Sequence, residues 1–317
     1  MKESRTILIT GASSGIGYQA TLDMLRRKNH VIAPCKNKER STQTFNRLKK
    51  ELYYINDLDK KLFVPCLDLS KISSINSFVN QLKKSFDVID SLVLNAGMQY
   101  TGSNLPRWSF EGIELTFAVN HLSHQYLTQL LIQLLYKSSN PRIIITSSEV
   151  HNPDSPGGSI GEPAHLGKLE GLFAGKGFKM LDGKTNFNAD KAYKDSKLCN
   201  ILFARELSKR LSSSGRDMPI LAWAPGLVIP RSKDGFFRYS REYNQLGQTL
   251  FAIIARDILR ITETESKAGN ILADLSIEDE YDHDGFRYFS NRLVRPGKKV
   301  FEESRIGKEA SDELLAF

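Results

Sequence analysis

The sequence contains few cysteines and lacks a long run of apolar residues. Only three of its 317 residues are cysteines, namely Cys35, Cys66 and Cys199, and none of them forms a C-x-x-C pair. This pattern argues against a disulfide framework and a zinc site, and it is typical of a reducing compartment. No apolar run reaches the roughly 18 residues that span a bilayer, and the N-terminus lacks the apolar stretch of a secretory signal. We therefore expect a soluble, cytoplasmic protein.

Acidic residues are fewer than basic ones, 36 against 44, so the formal net charge is +8. An excess of basic residues can favour binding to nucleic acid, to an anionic membrane surface or to an anionic ligand. The basic residues are scattered, as in Lys36–Arg40 and Arg295–Lys299, and form no long block. We expect no nucleic-acid partner and attribute the excess to a phosphate-bearing ligand and to solvated surface. With 40% hydrophobic and 25% charged residues, the chain can build a sizeable core.

Short apolar, β-branched runs alternate with helical patterns along the chain. Strands are predicted at Thr6–Thr10, His30–Ala33, Leu62–Leu67, Ser91–Asn95, Arg142–Ser147, Pro219–Ala224 and Phe286–Phe289. Helices are predicted near Gly15–Lys28, Lys38–Tyr53, Ser73–Phe86, Gly112–Tyr136, Ala192–Leu211 and Glu265–Leu275. This alternation predicts an α/β fold, a doubly wound parallel sheet of Rossmann type with about seven strands and helices on both faces. No repeat or low-complexity linker interrupts the pattern, so residues 1–317 are predicted to form a single domain.

Two stretches break the alternation, Glu149–Asp190 and Leu227–Ile261. The first is rich in Gly, Pro, Asn and Asp, and the second contains an apolar helical pattern at Leu246–Leu259. Long loops in compact domains are usually functional or disordered, and ligands bind beyond the carboxyl ends of parallel strands. We interpret both stretches as pocket walls; surface insertions without function are the alternative.

A glycine-rich turn, TGASSGIG, directly follows the first predicted strand. Glycine permits a tight turn and a close approach of phosphate to the backbone, and the helix N-terminus offers free N–H groups. A plain structural turn is the competing interpretation. We expect the pyrophosphate of a dinucleotide to bind Gly11, Ser13, Ser14, Gly15, Ile16 and Gly17.

The residues after the second strand indicate which dinucleotide binds. An acidic residue there would hold a ribose hydroxyl and favour NAD. The chain instead has Lys36, Asn37 and Arg40, and cations without an acid favour the 2′-phosphate of NADP(H). A solvated charge run is the alternative.

Further candidate cofactor contacts follow later strands. Asp68 and Leu69 follow the third, where a carboxylate can accept a hydrogen bond from adenine. An N-cap role competes for Asp68, although Ser70 is the better cap candidate. The remaining candidates are Asn95, Ala96 and Gly97 after the fourth strand, and Pro225, Gly226 and Val228 after the sixth.

The segment Ala192–Cys199, AYKDSKLC, places Tyr193 and Lys197 four residues apart and thus on one face of a helix. A phenol beside an ammonium is a proton donor, and the cation is expected to lower its pKa. A proton donor together with a hydride carrier predicts a nicotinamide-dependent oxidoreductase. The 1–317 domain is therefore predicted to be a dinucleotide-binding catalytic domain, with pocket insertions at 149–190 and 227–261.

Two further polar residues are candidates for catalysis. Ser148 ends the fifth strand, where a hydroxyl can hold a substrate carbonyl or the Tyr193 hydroxyl, although a cap or turn is the commoner role. Asn120 lies within a helical pattern in which Asn is a poor former, and we expect a kink that holds a water. His121 and His124 are interpreted as packing or surface residues, and no metal site is expected.

The ordered set TGASSGIG, NAG, Asn120, Ser148 and YKDSK resembles the short-chain dehydrogenase/reductase superfamily over nearly the whole chain. The resemblance implies that Tyr193 donates or accepts the proton, while Lys197 holds the nicotinamide ribose and lowers the Tyr193 pKa. It further implies that Ser148 polarises the substrate and that Asn120 anchors a water relay.

Within the superfamily, Leu166–Asn200 resembles the light-dependent protochlorophyllide reductases, which carry a similar Gly-rich insertion before AKAYKDSK. NHLSH at Asn120–His124 is similar to their asparagine motif, and DGFFR at Asp234–Arg238 to their lid. This resemblance implies that light drives hydride transfer from NADPH to a ring C=C bond of the pigment, with Tyr193 supplying the proton.

The chain also departs from that family. It has SSEVHNPDSPGG after the fifth strand, NAGM in place of Asn-Ala-Ala, and Leu227 where the family has a cysteine implicated in catalysis. The SSEVH and YxxSKLxNxLF patterns instead resemble retinol dehydrogenase-type members. The alternative function is therefore a light-independent carbonyl or alcohol oxidoreductase acting on a bulky apolar substrate, as in a diverged paralogue.

The expected partner is a small molecule, a tetrapyrrole or a bulky apolar carbonyl compound. Apolar and basic side chains mix in Phe236–Leu259, so peripheral membrane contact stays open beside the preferred interpretation of a soluble lid. Homo-oligomers occur in the superfamily and stay open here. A non-catalytic NADP-sensing scaffold is the third hypothesis, and the retained Tyr193 and Lys197 argue against it.

Overall fold

The structure, a computed structural model, describes residues 4–229 and 235–306. Within these ranges one sheet has the strand order β3-β2-β1-β4-β5-β6-β7-β8, in which all neighbours are parallel except the antiparallel β7 and β8. The chain order reverses between β1 and β4, the kind of position where such folds bind ligands. The strands are β1 Thr6–Ile9, β2 His30–Ile32, β3 Leu62–Phe63, β4 Ser91–Leu94, β5 Arg142–Thr146, β6 Pro219–Ala224, β7 Gly285–Arg295 and β8 Lys298–Glu303.

Helices cover both faces of the sheet, as predicted. One apolar layer joins the strands to α4, α6 and α8, and the other joins them to α1, α2 and α11. The helices are α1 Gly15–Arg26, α2 Lys38–Glu51, α3 Leu58–Lys61, α4 Ile72–Ser85, α5 Leu115–Phe117, α6 Ser123–Leu135, α7 Glu170–Phe173, α8 Ala189–Ser213, α9 Arg238–Tyr243, α10 Gln245–Ile253 and α11 Glu265–Ile277.

Side-chain caps explain where two functional helices begin. The Glu114 carboxylate accepts hydrogen bonds from the N–H groups of Thr116 and Phe117, both at 2.9 Å, so α5 starts three residues after the predicted Gly112. Asn188 likewise accepts from the first turn of α8, at 3.1 Å from Asp190 N, so α8 begins before the predicted Ala192. Caps satisfy backbone donors that the helix itself cannot pair.

The predicted helix Gly112–Tyr136 is interrupted. Between α5 and α6 the chain forms a π-helical segment, Ala118–Leu122, with Asn120 at its centre. The conflict between Asn120 and a regular helix thus marks a real irregularity, and such π-turns are frequent at functional sites.

The sequence patterns did not predict the eighth strand. Its sequence, KKVFEE, is mostly charged, as is common in an edge strand, and its residues are half-buried except at the two exposed ends. It returns along β7 through a turn at Gly297, which has a φ of +75°. The β7–β8 hairpin carries β7 beyond the predicted Phe289 to Arg295.

Candidate active site

The glycine-rich turn between β1 and α1 leaves room for a ligand at the helix N-terminus. Gly11 and Gly15 have positive φ values of +75° and +59°, which other residues rarely adopt. A Cβ atom on Gly17 would lie 2.4 Å from the Gly11 carbonyl oxygen, and one on Gly11 would lie 2.9 Å from Cα of Ala96. Ser14 precedes α1 without capping it through its side chain. The close backbone packing and the uncapped N–H groups fit a dinucleotide pyrophosphate.

A cavity of about 950 Å³ runs along the carboxyl ends of the strands. It joins the glycine-rich turn to Tyr193, and Val150, Ile160, Phe236 and Phe251 contribute apolar side chains to its walls. The predicted site residues that line it are Gly11, Ser13, Ser14, Gly15, Ile16, Gly17, Lys36, Arg40, Asp68, Leu69, Asn95, Ala96, Gly97, Ser148, Tyr193, Lys197, Pro225, Gly226 and Val228.

Two predicted residues, Asn37 and Asn120, lie outside the cavity lining. Asn37 caps α2, where its side-chain oxygen accepts from the Arg40 N–H at 2.9 Å. That role explains an Asn at this position without a ligand, while Lys36 and Arg40 remain in the cavity wall. After β3, the N-cap roles considered for Asp68 and Ser70 are both wrong, because the N-cap of α4 is Lys71. Asp68 instead accepts from the Ser70 N–H and hydroxyl at 3.0 and 2.6 Å.

Tyr193 and Lys197 face the cavity from one side of α8. The Lys197 ammonium lies 5.6 Å from the centre of the Tyr193 ring and donates to the Thr146 carbonyl at 3.0 Å. Burial lowers the pKa of Lys197 to about 7. Burial also raises the pKa of Tyr193, which a hydrogen bond with the Ser148 side chain partly offsets. The expectation of a lowered Tyr193 pKa is therefore wrong for this structure, because desolvation of the phenol outweighs its partners.

The Asn120 side chain is held inside the protein by three hydrogen bonds. Its oxygen accepts from the Met98 N–H at 2.8 Å, and its amide nitrogen donates to the Met98 carbonyl at 2.9 Å and to the Ser196 hydroxyl at 3.1 Å. These bonds join the end of β4, the π-helical segment and α8. Both hydrogens of the amide nitrogen are committed, so a water held by Asn120 has to donate to its side-chain oxygen or to its backbone carbonyl.

The lysines around Tyr193 fasten the first insertion to α8. Lys194 is buried and donates to the carbonyls of Gly158, Ile160 and Glu162 at 2.9, 2.5 and 3.0 Å. Because this loop supplies cavity lining, Lys194 shapes the wall beside Tyr193.

A buried ion cluster adds a second attachment. Lys191 donates to the Asp195 carboxylate at 2.6 Å and to the His165 carbonyl at 2.7 Å, and it lies 3.1 Å from Asp182. Sequence reasoning missed both attachments. The available signal in the sequence was a pair of charged residues, Lys194 and Asp195, between the two candidate catalytic residues of the helix.

The segment from Gly235 covers Tyr193 from the opposite side. The rings of Phe236 and Tyr193 meet edge to face at 5.3 Å. Arg107 holds α9 through Glu242 at 2.7 Å and the Tyr243 hydroxyl at 3.1 Å. Of the predicted lid motif, Asp234 lies outside the described residues.

Leu227 lies in the cavity wall, and its backbone carbonyl is paired. Its carbonyl accepts from the Glu263 N–H at 2.7 Å, and its side chain packs against an apolar cluster of Ile229, Phe237 and Ala255. Neither a proton nor a nucleophile can come from this position.

Within residues 4–229 and 235–306, no helix is both long and apolar enough to cross a membrane. The same ranges contain no group of three or more His, Cys, Asp or Glu side chains placed to hold a metal ion.

Comparisons with known proteins agree with this geometry. A family model described as short chain dehydrogenase matches residues 5–160. The chain is 30% identical over 313 residues to protochlorophyllide reductase of Avena sativa, covering 96% of this chain and 94% of that protein. It is 33% identical over 317 residues to the chloroplastic protochlorophyllide reductase of Cucumis sativus, covering 97% and 74% respectively.

Solved structures share the fold at low identity. L-Sorbose reductase from Gluconobacter frateurii, complexed with NADPH and L-sorbose, has a TM-score of 0.63 at 15% identity, with 93% of this chain and 96% of that chain covered. The NADP complex of RhlG from Pseudomonas aeruginosa has a TM-score of 0.64 at 22% identity, with 92% and 95% covered.

Proposed function

The chain belongs to the short-chain dehydrogenase family of oxidoreductases and is related to protochlorophyllide reductases, and on this premise we propose that it is an NADPH-dependent reductase of protochlorophyllide. The observation that carries the proposal is a large cavity that joins a glycine cradle to Tyr193 between apolar walls. A flat, bulky pigment needs such walls, and its reduction needs a proton donor at their meeting point.

Several features of the cavity support NADPH as the hydride carrier. When bound, NADPH supplies the hydride. Lys36 and Arg40 offer cations to a 2′-phosphate at the end of β2, while the turn at Gly11–Gly17 fits the pyrophosphate. The structural relatives named above were solved with NADP or NADPH, which favours the same cofactor here.

The proposed proton route starts at Tyr193. Its hydroxyl gives its proton to the substrate, and the Lys197 ammonium stabilises the phenolate that remains. Ser148 orients the Tyr193 hydroxyl, and a water on the Asn120 carbonyl returns the proton from bulk solvent. General acid catalysis of this kind contributes about 10²–10⁴-fold. Apolar walls around the reacting atoms keep other water away.

An absorbance spectrum tests the proposal. The protein is mixed with NADPH and protochlorophyllide, and spectra are recorded in darkness and after a flash. We expect a red-shifted bound pigment that converts on illumination, and a Tyr193→Phe variant that binds the pigment without converting it. A pigment that binds to neither protein would contradict the proposal.

A light-independent reductase of bulky apolar carbonyl compounds is the second candidate. Leu227 favours it, since this side chain supplies no acidic hydrogen where the pigment family has a cysteine, and SSEVH at Ser147–His151 fits retinol dehydrogenase-type sequences. The expected result is oxidation of NADPH in darkness by long-chain aldehydes or retinal. Absence of turnover across such a panel would count against it.

We further propose that α10 and the residues after it contact a membrane surface. α10 has no buried residue, and Leu246 and Ile258 are 86% and 67% exposed. Phe251 lines the cavity, so an apolar substrate could enter beside this surface. Co-sedimentation with vesicles of anionic lipid should be lost in a Leu246→Asp/Ile258→Asp variant. Equal sedimentation of both proteins would exclude this contact. Whether the protein forms homo-oligomers is a separate prediction that stays open.

A further inference from the structure

A buried histidine connects the glycine-rich turn with the π-helical segment that contains Asn120. His124 is the second residue of α6 and is 2% exposed. Its Nδ1 lies 3.2 Å from the Asn120 carbonyl oxygen, and its Nε2 lies 3.0 Å from the Thr10 hydroxyl. Thr10 precedes Gly11 in the glycine-rich turn. The imidazole therefore bridges two elements that the proposed reaction uses together.

The bonding partners determine where the imidazole proton sits. A carbonyl oxygen only accepts, so Nδ1 of His124 must carry hydrogen and donate to Asn120. Burial, with smaller effects of Lys197 and His121, lowers the pKa of His124 to about 3, so Nε2 is unprotonated at neutral pH. The Thr10 hydroxyl must then donate to Nε2.

The Thr10 hydroxyl extends this chain of bonds to the floor of the site. Its oxygen accepts from the N–H groups of Asn95 and Ala96, both at 2.9 Å. The alternative acceptor for its hydrogen, the Val93 carbonyl, is more distant at 3.4 Å. The bonds run in one direction from the β4 end through Thr10 and His124 to the Asn120 carbonyl, and aligned bonds polarise one another.

We propose that His124, as the tautomer protonated at Nδ1, is a positioning residue that orients the Asn120 carbonyl for its water and ties it to the cofactor turn. The bond from His124 uses one of the two lone pairs of that carbonyl and fixes its direction. The Asn120 side chain is held by its own bonds to Met98 and Ser196, which use both hydrogens of its amide nitrogen. The catalytic part of the inference rests on the proposed function.

The tautomer can be measured without any substrate. In a ¹H–¹⁵N spectrum of imidazole nitrogens, the His124 signal is identified by its loss in a His124→Asn variant. We expect hydrogen on Nδ1 and no titration from about pH 5 to about pH 8, the range in which ordinary histidines titrate. Hydrogen on Nε2, or a titrating ring, would overturn the proposal.

Two amide variants separate the two bonds of His124. The amide of Asn lies near the position of Nδ1 and can donate to Asn120, whereas the longer Gln reaches towards Thr10. Turnover should fall about tenfold in His124→Gln, the effect of losing one buried hydrogen bond, with an increased solvent isotope effect. The fall in turnover and the rise in isotope effect should be smaller in His124→Asn than in His124→Gln, and His124→Asn should bind NADPH more weakly.

Thr128→Val is the matched control. Thr128 is buried one turn later in α6. Its hydroxyl donates to the His124 carbonyl at 2.8 Å and takes no part in the bonds between the imidazole, Thr10 and Asn120. This variant should lower Tm and leave the solvent isotope effect unchanged. Equal isotope effects in all variants would contradict the positioning role. If the wild type reduces no substrate offered, the proposed function fails, while the tautomer and the NADPH affinities still decide the inference.

Discussion

At the residue scale, burial controls the acid–base chemistry of the site. Desolvation raises the pKa of Tyr193 and lowers that of Lys197 to about 7, so the environment favours the neutral form of both groups. In the proposed reaction, Tyr193 thereby keeps its proton until the substrate takes it. Lys197 is poised near neutral pH, where its ammonium can form or lose its charge during turnover.

The lowered pKa of Lys197 gives activity a pH dependence. The ammonium fraction falls as pH rises through about 7, and with it the stabilisation of the phenolate on Tyr193. The ratio kcat/KM, which reports pKa values of the free enzyme, should therefore decline with a slope of −1 above about pH 7. A Lys197→Met variant should be much slower and should lack this decline. The same decline in that variant would assign it to another group.

Cofactor choice is also decided by single residues. Exchanging Lys36 and Arg40 for neutral residues should raise the KM for NADPH at least tenfold, since two cations facing the 2′-phosphate are removed, with little change for NADH. Lys38 is an exposed neighbour at the start of α2 and does not line the cavity, so Lys38→Met is the matched control. Equal effects on both cofactors would contradict this assignment.

At the element scale, α8 presents the proposed catalytic residues on one side and holds the first insertion on the other. Tyr193 and Lys197 face the cavity, while Lys194 bonds three carbonyls of the loop that lines it. A single helix therefore sets the distance between the proton donor and the wall against which a substrate would lie.

Removing the Lys194 ammonium should loosen that wall. In Lys194→Met three carbonyls of the loop lose their donor, so we expect a lower Tm and a KM for the bulky substrate raised about tenfold, with unchanged NADPH affinity. Lys184→Met removes a largely exposed lysine that pairs with Glu162 in the same insertion, and it should change neither quantity. A shift in NADPH affinity in the first variant would contradict a role confined to the wall.

Some elements were predictable because their pattern is local. Asn120 in an apolar helical run signalled an irregularity, since poor helix formers act at their own position. The edge strand β8 gave no such signal, because its stability comes from pairing with β7 and from no buried face of its own. The attachments of Lys191 and Lys194 depend on residues about 10–35 positions away, beyond the reach of periodicity.

At the scale of the whole molecule, the order of motifs along the chain predicted which residues meet along one cavity. Parallel strands bring Gly11, Asn95, Ser148 and Pro225 to one edge of the sheet regardless of their separation in sequence. The sequence could not show that Asn37 caps a helix instead of lining the cavity, nor that His124 is bonded on both ring nitrogens. Both outcomes depend on side-chain directions, which the complete fold determines.

The product of a single turnover tests the central claim most directly. A substrate that the protein reduces is offered with NADPH deuterated at the transferred position, in ordinary water, and the product is examined by mass spectrometry. Reduction by the proposed route predicts one deuterium from the cofactor and one hydrogen from solvent, with no product from Tyr193→Phe. A product without deuterium, or full turnover by Tyr193→Phe, would contradict it.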